Sequence, residues 1–78
     1  MAGILTVVGE NIKYYRTRLG MTQEELAERA GINRSYLAGL ERGRRNTTLK
    51  TVEALAKALG VSTSELVSSA GVSPEDNS

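Results

Sequence analysis

The sequence contains no cysteine and no histidine. Disulfide stapling is therefore excluded, and so are the ordinary zinc sites built on thiolate and imidazole ligands. Without either staple the core must come from apolar packing alone. At 78 residues such a core is marginal unless the helices pack tightly or the chain dimerises. No apolar run is longer than a few residues, so no segment is expected to span a membrane. The N-terminus has no basic segment followed by a long apolar stretch, which argues against secretion and for a cytoplasmic location. The length suits one domain over residues 1–78 and leaves no room for a second core.

Charge is unevenly spread although the net value is only +1. Residues 1–47 hold eight Lys/Arg against five Asp/Glu, whereas residues 48–78 hold two against four. Arg34, Arg42, Arg44 and Arg45 gather in and just after one short segment. A solvated face is the bland explanation. Coincidence with a helical motif favours an edge that meets a polyanion.

Periodicity places five helices. Met1 to Val8 reads either as a short extended arm or as the first turn of a helix. From about Val8 to Leu19, the residues Val8, Ile12, Tyr15 and Leu19 recur at helical spacing, and Gly20 stops the run. Thr22 with Glu25 three positions on forms a capping box for a second helix, with Leu26, Ala27 and Ala30 on its buried side and Gly31 at its end. Asn33 caps a third helix that reaches about Glu41, with Leu37 and Leu40 inward and Gly43 as stop. Leu49, Val52, Leu55, Ala56 and Leu59 make the stripe of a fourth helix from Thr48 to Leu59. Ser62 to Val67, again with a cap and a Glu at the third position beyond it, makes a short fifth. From Gly71 onward the composition predicts a frayed tail over 71–78, outside a core of 9–67. The expected fold is all-α, a compact five-helix bundle without a sheet or an internal repeat.

The run Thr22 to Arg42 carries the chemistry. Gly31 supplies a turn with positive φ, and the small Ala27 lets two helices approach. Leu26, Ala30, Ile32, Leu37 and Leu40 form a wedge of core, which leaves Asn33, Arg34, Ser35, Ala38 and Gly39 toward solvent and Tyr36 at the flank. An exposed helix of this width fits the major groove of B-form DNA. This run is similar to the helix-turn-helix of the lambda repressor and Cro-like family, and the resemblance covers about Gly9 to Val67. Within it, INRSYLAGLERGRRNTTLKTVEALAKAL looks most like restriction–modification controller proteins.

Residue roles follow from both sources. Arg34 is the expected base reader, since a guanidinium can bond twice to guanine O6 and N7; the resemblance implies the same. Ser35 can reach a base edge or a phosphate, and Asn33 is either a further base contact or only the cap. Gln23 lies at the positive end of the second helix, and the resemblance implies a phosphate contact there. Tyr36 has two open roles, covering the wedge with its ring or reaching a phosphate with its hydroxyl. Gly39 is out of place in a helix interior, and close approach to the groove or backbone is one explanation. Arg42, Arg45 and Asn46 match the controller-like E-R-G-x-R-N at Glu41 to Asn46 and are expected near phosphates, with a weaker expectation for Thr48. Ala38 departs from the family, where many controllers carry Ser. The resemblance also implies a partly buried structural bridge between Arg16 and Glu41. Val61, Leu66 and Val67 are the expected contacts of a dimer surface, and the resemblance implies dimerisation through this region without identifying individual contacts.

These expectations converge on a dimeric, sequence-specific transcription regulator. Its partners would be a near-palindromic double-stranded operator, a second copy of itself and, when activating, RNA polymerase, with no membrane, metal or cofactor. A prophage or chromosomal repressor or an antitoxin is the alternative within that class. A protein-interaction adaptor on the same shell is the alternative outside it, and Arg34, Arg42 and Arg45 argue against that. No enzyme is expected, because the polar groups do not converge on an enclosed site.

Overall fold

The computed structural model describes residues 3–68; the expected tail at 71–78 lies outside the described residues. Five helices follow in order: α1 Ile4–Arg18, α2 Gln23–Ala30, α3 Arg34–Glu41, α4 Leu49–Leu59 and α5 Thr63–Val67. The segment before Val8 is helical from Ile4, which settles the choice between arm and helix. None of these helices is long and apolar enough to cross a membrane.

Local signals set most helix ends. Thr22 Oγ1 accepts from Glu25 N while the Glu25 carboxylate accepts from Thr22 N, so two free donors of α2 are satisfied reciprocally. Ser62 and Glu65 repeat the arrangement at α5. Thr48 Oγ1 accepts from Thr51 N at the start of α4. At the turn between α2 and α3, Gly31 closes α2 with φ 73° and ψ 31°. A side chain in that left-handed conformation is strained by about 1–2 kcal/mol.

Ile12, Leu26, Leu37, Leu55 and Leu66 are fully buried at the centre of the bundle. Val8, Met21, Ala27, Leu40, Val52, Ala56 and Leu59 close around them. Two members of the expected stripes lie outside. Leu19 is 56 % and Leu49 68 % exposed, because each sits at a helix end that overhangs the packed layer. Tyr15 packs against the core, and burial, with the Glu65 carboxylate second, holds its phenol above the ordinary range.

Two residues of α1 fix it against α3 and against the end of α5. Gly9 is where α1 crosses the end of α3, and an added Cβ would run into the Leu40 carbonyl oxygen and meet Glu41 O at 3.0 Å. Both obstacles are backbone, which cannot step aside. Gly9→Ala is therefore expected to destabilise the fold by about 1–3 kcal/mol, read as a lower urea midpoint at unchanged slope. Asn11 is a fully buried polar residue, and its Nδ2 donates to the carbonyls of Leu66 at 2.6 Å, Ser68 at 3.0 Å and Glu65 at 3.2 Å. The last carbonyls of α5, which have no partner within a helix, are thereby tied to α1.

Candidate nucleic-acid interface

α3 begins on a capped, open edge. Asn33 Oδ1 accepts from Ser35 N at 2.7 Å and from Tyr36 N at 3.3 Å, so the cap occupies its carbonyl half. Arg34 and Ser35 follow in the first turn, both exposed. The far end of α3 is different. Leu37, Ala38, Gly39 and Leu40 are all buried, which corrects the expectation that Ala38 and Gly39 face solvent. α1 lies against Leu40 through Gly9, α2 lies across the turn, and the Arg45 side chain is folded onto Gly39. The last turn of α3 is thus covered all round, and the open surface narrows to its N-terminal residues and flank.

Arg16 and Glu41 form the bridge that the family resemblance implied. Arg16 Nε donates to Glu41 Oε2 at 2.6 Å and Nη2 donates to Oε1 at 3.0 Å. Arg16 Nη1 donates to the Met21 carbonyl at 2.8 Å. The two side chains are only 11 % and 4 % exposed, and the paired, fork-like geometry satisfies both partners. Gln23 extends the network outward: its Nε2 donates to Glu41 Oε1 at 3.0 Å, and its Oε1 accepts from Arg34 Nη1 at 3.3 Å. A line of hydrogen bonds therefore runs from the buried pair to the exposed arginine. One Gln23 N–H is used inward and the second is left over for another acceptor.

The segment after α3 folds back on it. Tyr36 Oη donates to the Asn46 carbonyl at 2.9 Å, and the Arg45 guanidinium lies 5.1 Å from the centre of the Tyr36 ring. Of the two roles open for Tyr36, the ring is half-buried against the core and the hydroxyl is used to clasp the loop. Arg42, Arg44, Arg45 and Asn46 are exposed. Among the described residues no ion pair engages Arg34, Arg42, Arg44 or Arg45, so their charge is uncompensated beside the open edge of α3. Thr48 is committed to its cap, with its exposed position adjoining this loop.

The expected pairing surface divides. Leu66 is fully buried within the protomer, because Asn11 draws the end of α5 down onto α1, and this removes it from the list of surface groups. Val67 is 42 % exposed, and Val61 is half-buried against the core. Sequence alone singles out neither Gly9 nor Asn11 as a positioning residue, and the close approach expected at Gly39 is made by the Arg45 side chain. The only signal for Gly39 was its presence inside a helix, while Asn11 stands three residues after Val8 on the buried stripe.

The comparisons agree with this geometry. A helix-turn-helix family model matches residues 12–66. The chain is 48 % identical over 68 residues to y4dJ of Sinorhizobium fredii, an uncharacterised HTH-type transcriptional regulator, covering 87 % of this chain and 88 % of that one. It is 40 % identical over 72 residues to the control protein C.SmaI of Serratia marcescens, covering 92 % and 86 %. Among solved structures, the restriction–modification controller protein C.Esp1396I, as a tetramer in complex with its natural operator, superposes with a TM-score of 0.73 at 42 % identity, covering 80 % of this chain and 82 % of that one. With the matched region taking in all of α2, α3 and α4 and the geometry just described, this chain belongs to the helix-turn-helix family.

Proposed function

We propose that the chain is a sequence-specific, dimeric DNA-binding transcription regulator and that it serves as the controller of a restriction–modification system. The observation that carries the reading is the open first turn of α3: Arg34 is exposed, steered by Gln23 and flanked by arginines that no ion pair engages among the described residues. Arg34 reads a guanine and Ser35 a neighbouring base edge or phosphate, with the amide of Asn33 beside them. Gln23, Tyr36, Arg42, Arg45, Asn46 and Thr48 line the path of the sugar–phosphate strand, where contacts set register and affinity. Tyr36 does so by holding the loop, and its own hydroxyl reaches a phosphate only by leaving Asn46. Val61 and Val67 belong to the face that meets a second copy.

One α3 touches only a few base pairs, so useful specificity requires two copies on a near-palindromic site. The kinship with C.SmaI and with C.Esp1396I on its operator supports a circuit in which a first operator activates, with RNA polymerase as partner, and a second represses. A prophage or chromosomal repressor is the second reading, supported by the 50 % identity over 60 residues to the immunity repressor protein of Bacillus phage phi105. Duplexes selected from a random library and then footprinted are expected to show two half-sites about 34–36 Å apart, filled steeply as protein concentration rises. Recovery of no common sequence would remove the direct-readout claim. A gene neighbourhood without a methyltransferase or endonuclease would favour the repressor over the controller.

A further inference from the structure

Gly39 lies in the interior of α3, where glycine is the poorest helix former after proline. Nothing in the backbone requires it, since its φ is not positive. What requires it is Arg45. An added Cβ would run into Arg45 Cγ and would meet Cδ at 3.2 Å and Cβ at 3.5 Å. Tyr36 stands three residues before Gly39, on the same face one turn away, and it receives the Arg45 guanidinium on its ring. The loop is clasped at both sides of Arg45: Arg44 N donates to Gly39 O at 3.0 Å, and Tyr36 Oη donates to Asn46 O at 2.9 Å. The alkyl chain of Arg45 thus lies across α3 on a surface that only glycine leaves open.

We propose that Gly39 is a positioning residue for DNA recognition: its missing side chain is the seat that holds Arg45 on the Tyr36 ring. Arg45 then meets the DNA backbone already placed, and little of its rotamer freedom is lost on binding. The assignment rests on the DNA-binding reading for its purpose, though not for the seat itself.

The test is Gly39→Ala, alone and combined with Arg45→Ala. Alanine is the better helix former, so the melting temperature of Gly39→Ala is expected to equal or exceed that of the parent while duplex binding weakens about three- to tenfold, the cost of ordering one long side chain. In free parent protein the Arg45 side-chain protons are expected upfield in the NMR spectrum, shifted by the Tyr36 ring, and in Gly39→Ala that shift collapses. In the Arg45→Ala background, Gly39→Ala is expected to weaken binding no further. Retention of the ring-current shift in Gly39→Ala, an equal loss of binding in the Arg45→Ala background, or a lowered melting temperature would each overturn the proposal. If the parent bound no duplex, the DNA-binding reading would fall, and the ring-current shift would still decide the seat.

Discussion

Glu41→Ala is expected to cost about 3–5 kcal/mol of folding stability, because it strands the Arg16 guanidinium in a site that is nearly closed to water. For 78 residues the whole stability is on the order of 4–12 kcal/mol, so this one change removes a large share of it. The pair itself need not stabilise the fold. Desolvating both charges roughly offsets their attraction, and replacing both with apolar groups of similar size is often neutral or better. Arg16→Met combined with Glu41→Leu is therefore expected to recover most of the loss. Urea unfolding of the three chains reads both effects. A cost below about 1 kcal/mol for Glu41→Ala would place the pair among solvent-screened surface bridges. The double substitution should still depress DNA binding, since Gln23 loses the carboxylate that orients it toward Arg34.

Arg34→Ala is expected to leave the fold intact and to abolish the preference for one base pair in each half-site. Folding loses only the exposed 3.3 Å bond to Gln23. Recognition loses a bidentate guanine contact worth about 1–3 kcal/mol, or about a 5- to 150-fold discrimination, in each of the two copies. Arg42→Ala, by contrast, removes an exposed charge that the proposed function sets against phosphate. It should weaken binding to all sequences alike and make the salt dependence shallower by about 1.8 in the log–log slope, about 0.9 for each copy of the dimer. Competition titrations between the selected site and its guanine-substituted variants separate the two behaviours.

The architecture was legible wherever the signal was local. The boxes at Thr22–Glu25 and Ser62–Glu65, the cap Asn33, and Gly31 act within four residues of themselves, so they mark helix ends before any tertiary contact is known. The bridge from Arg16 to Glu41 spans 25 positions, and only kinship with a known family suggested it. What could not be read was set by packing between distant segments. Gly9 and Gly39 look alike in the sequence as weak helix formers, yet one admits a backbone carbonyl and the other an arginine side chain. Asn11 looks like a polar interruption until the end of α5 arrives 55 residues later to take its amide. The same arrival moves Leu66 from the expected pairing surface into the core. Leu19 and Leu49 fit the helical period but lie beyond the edge of the layer that would bury them.

Direct reading of guanine by Arg34 from the open first turn of α3 is the central claim, and base-analogue titration tests it most directly. The selected duplex is prepared with 7-deazaguanine at the contacted position, which removes the N7 acceptor and leaves the rest of the base pair in place. Reading by Arg34 predicts that the analogue weakens binding of the parent protein and has no effect on Arg34→Ala. Equal weakening of both proteins, or of neither, would contradict it.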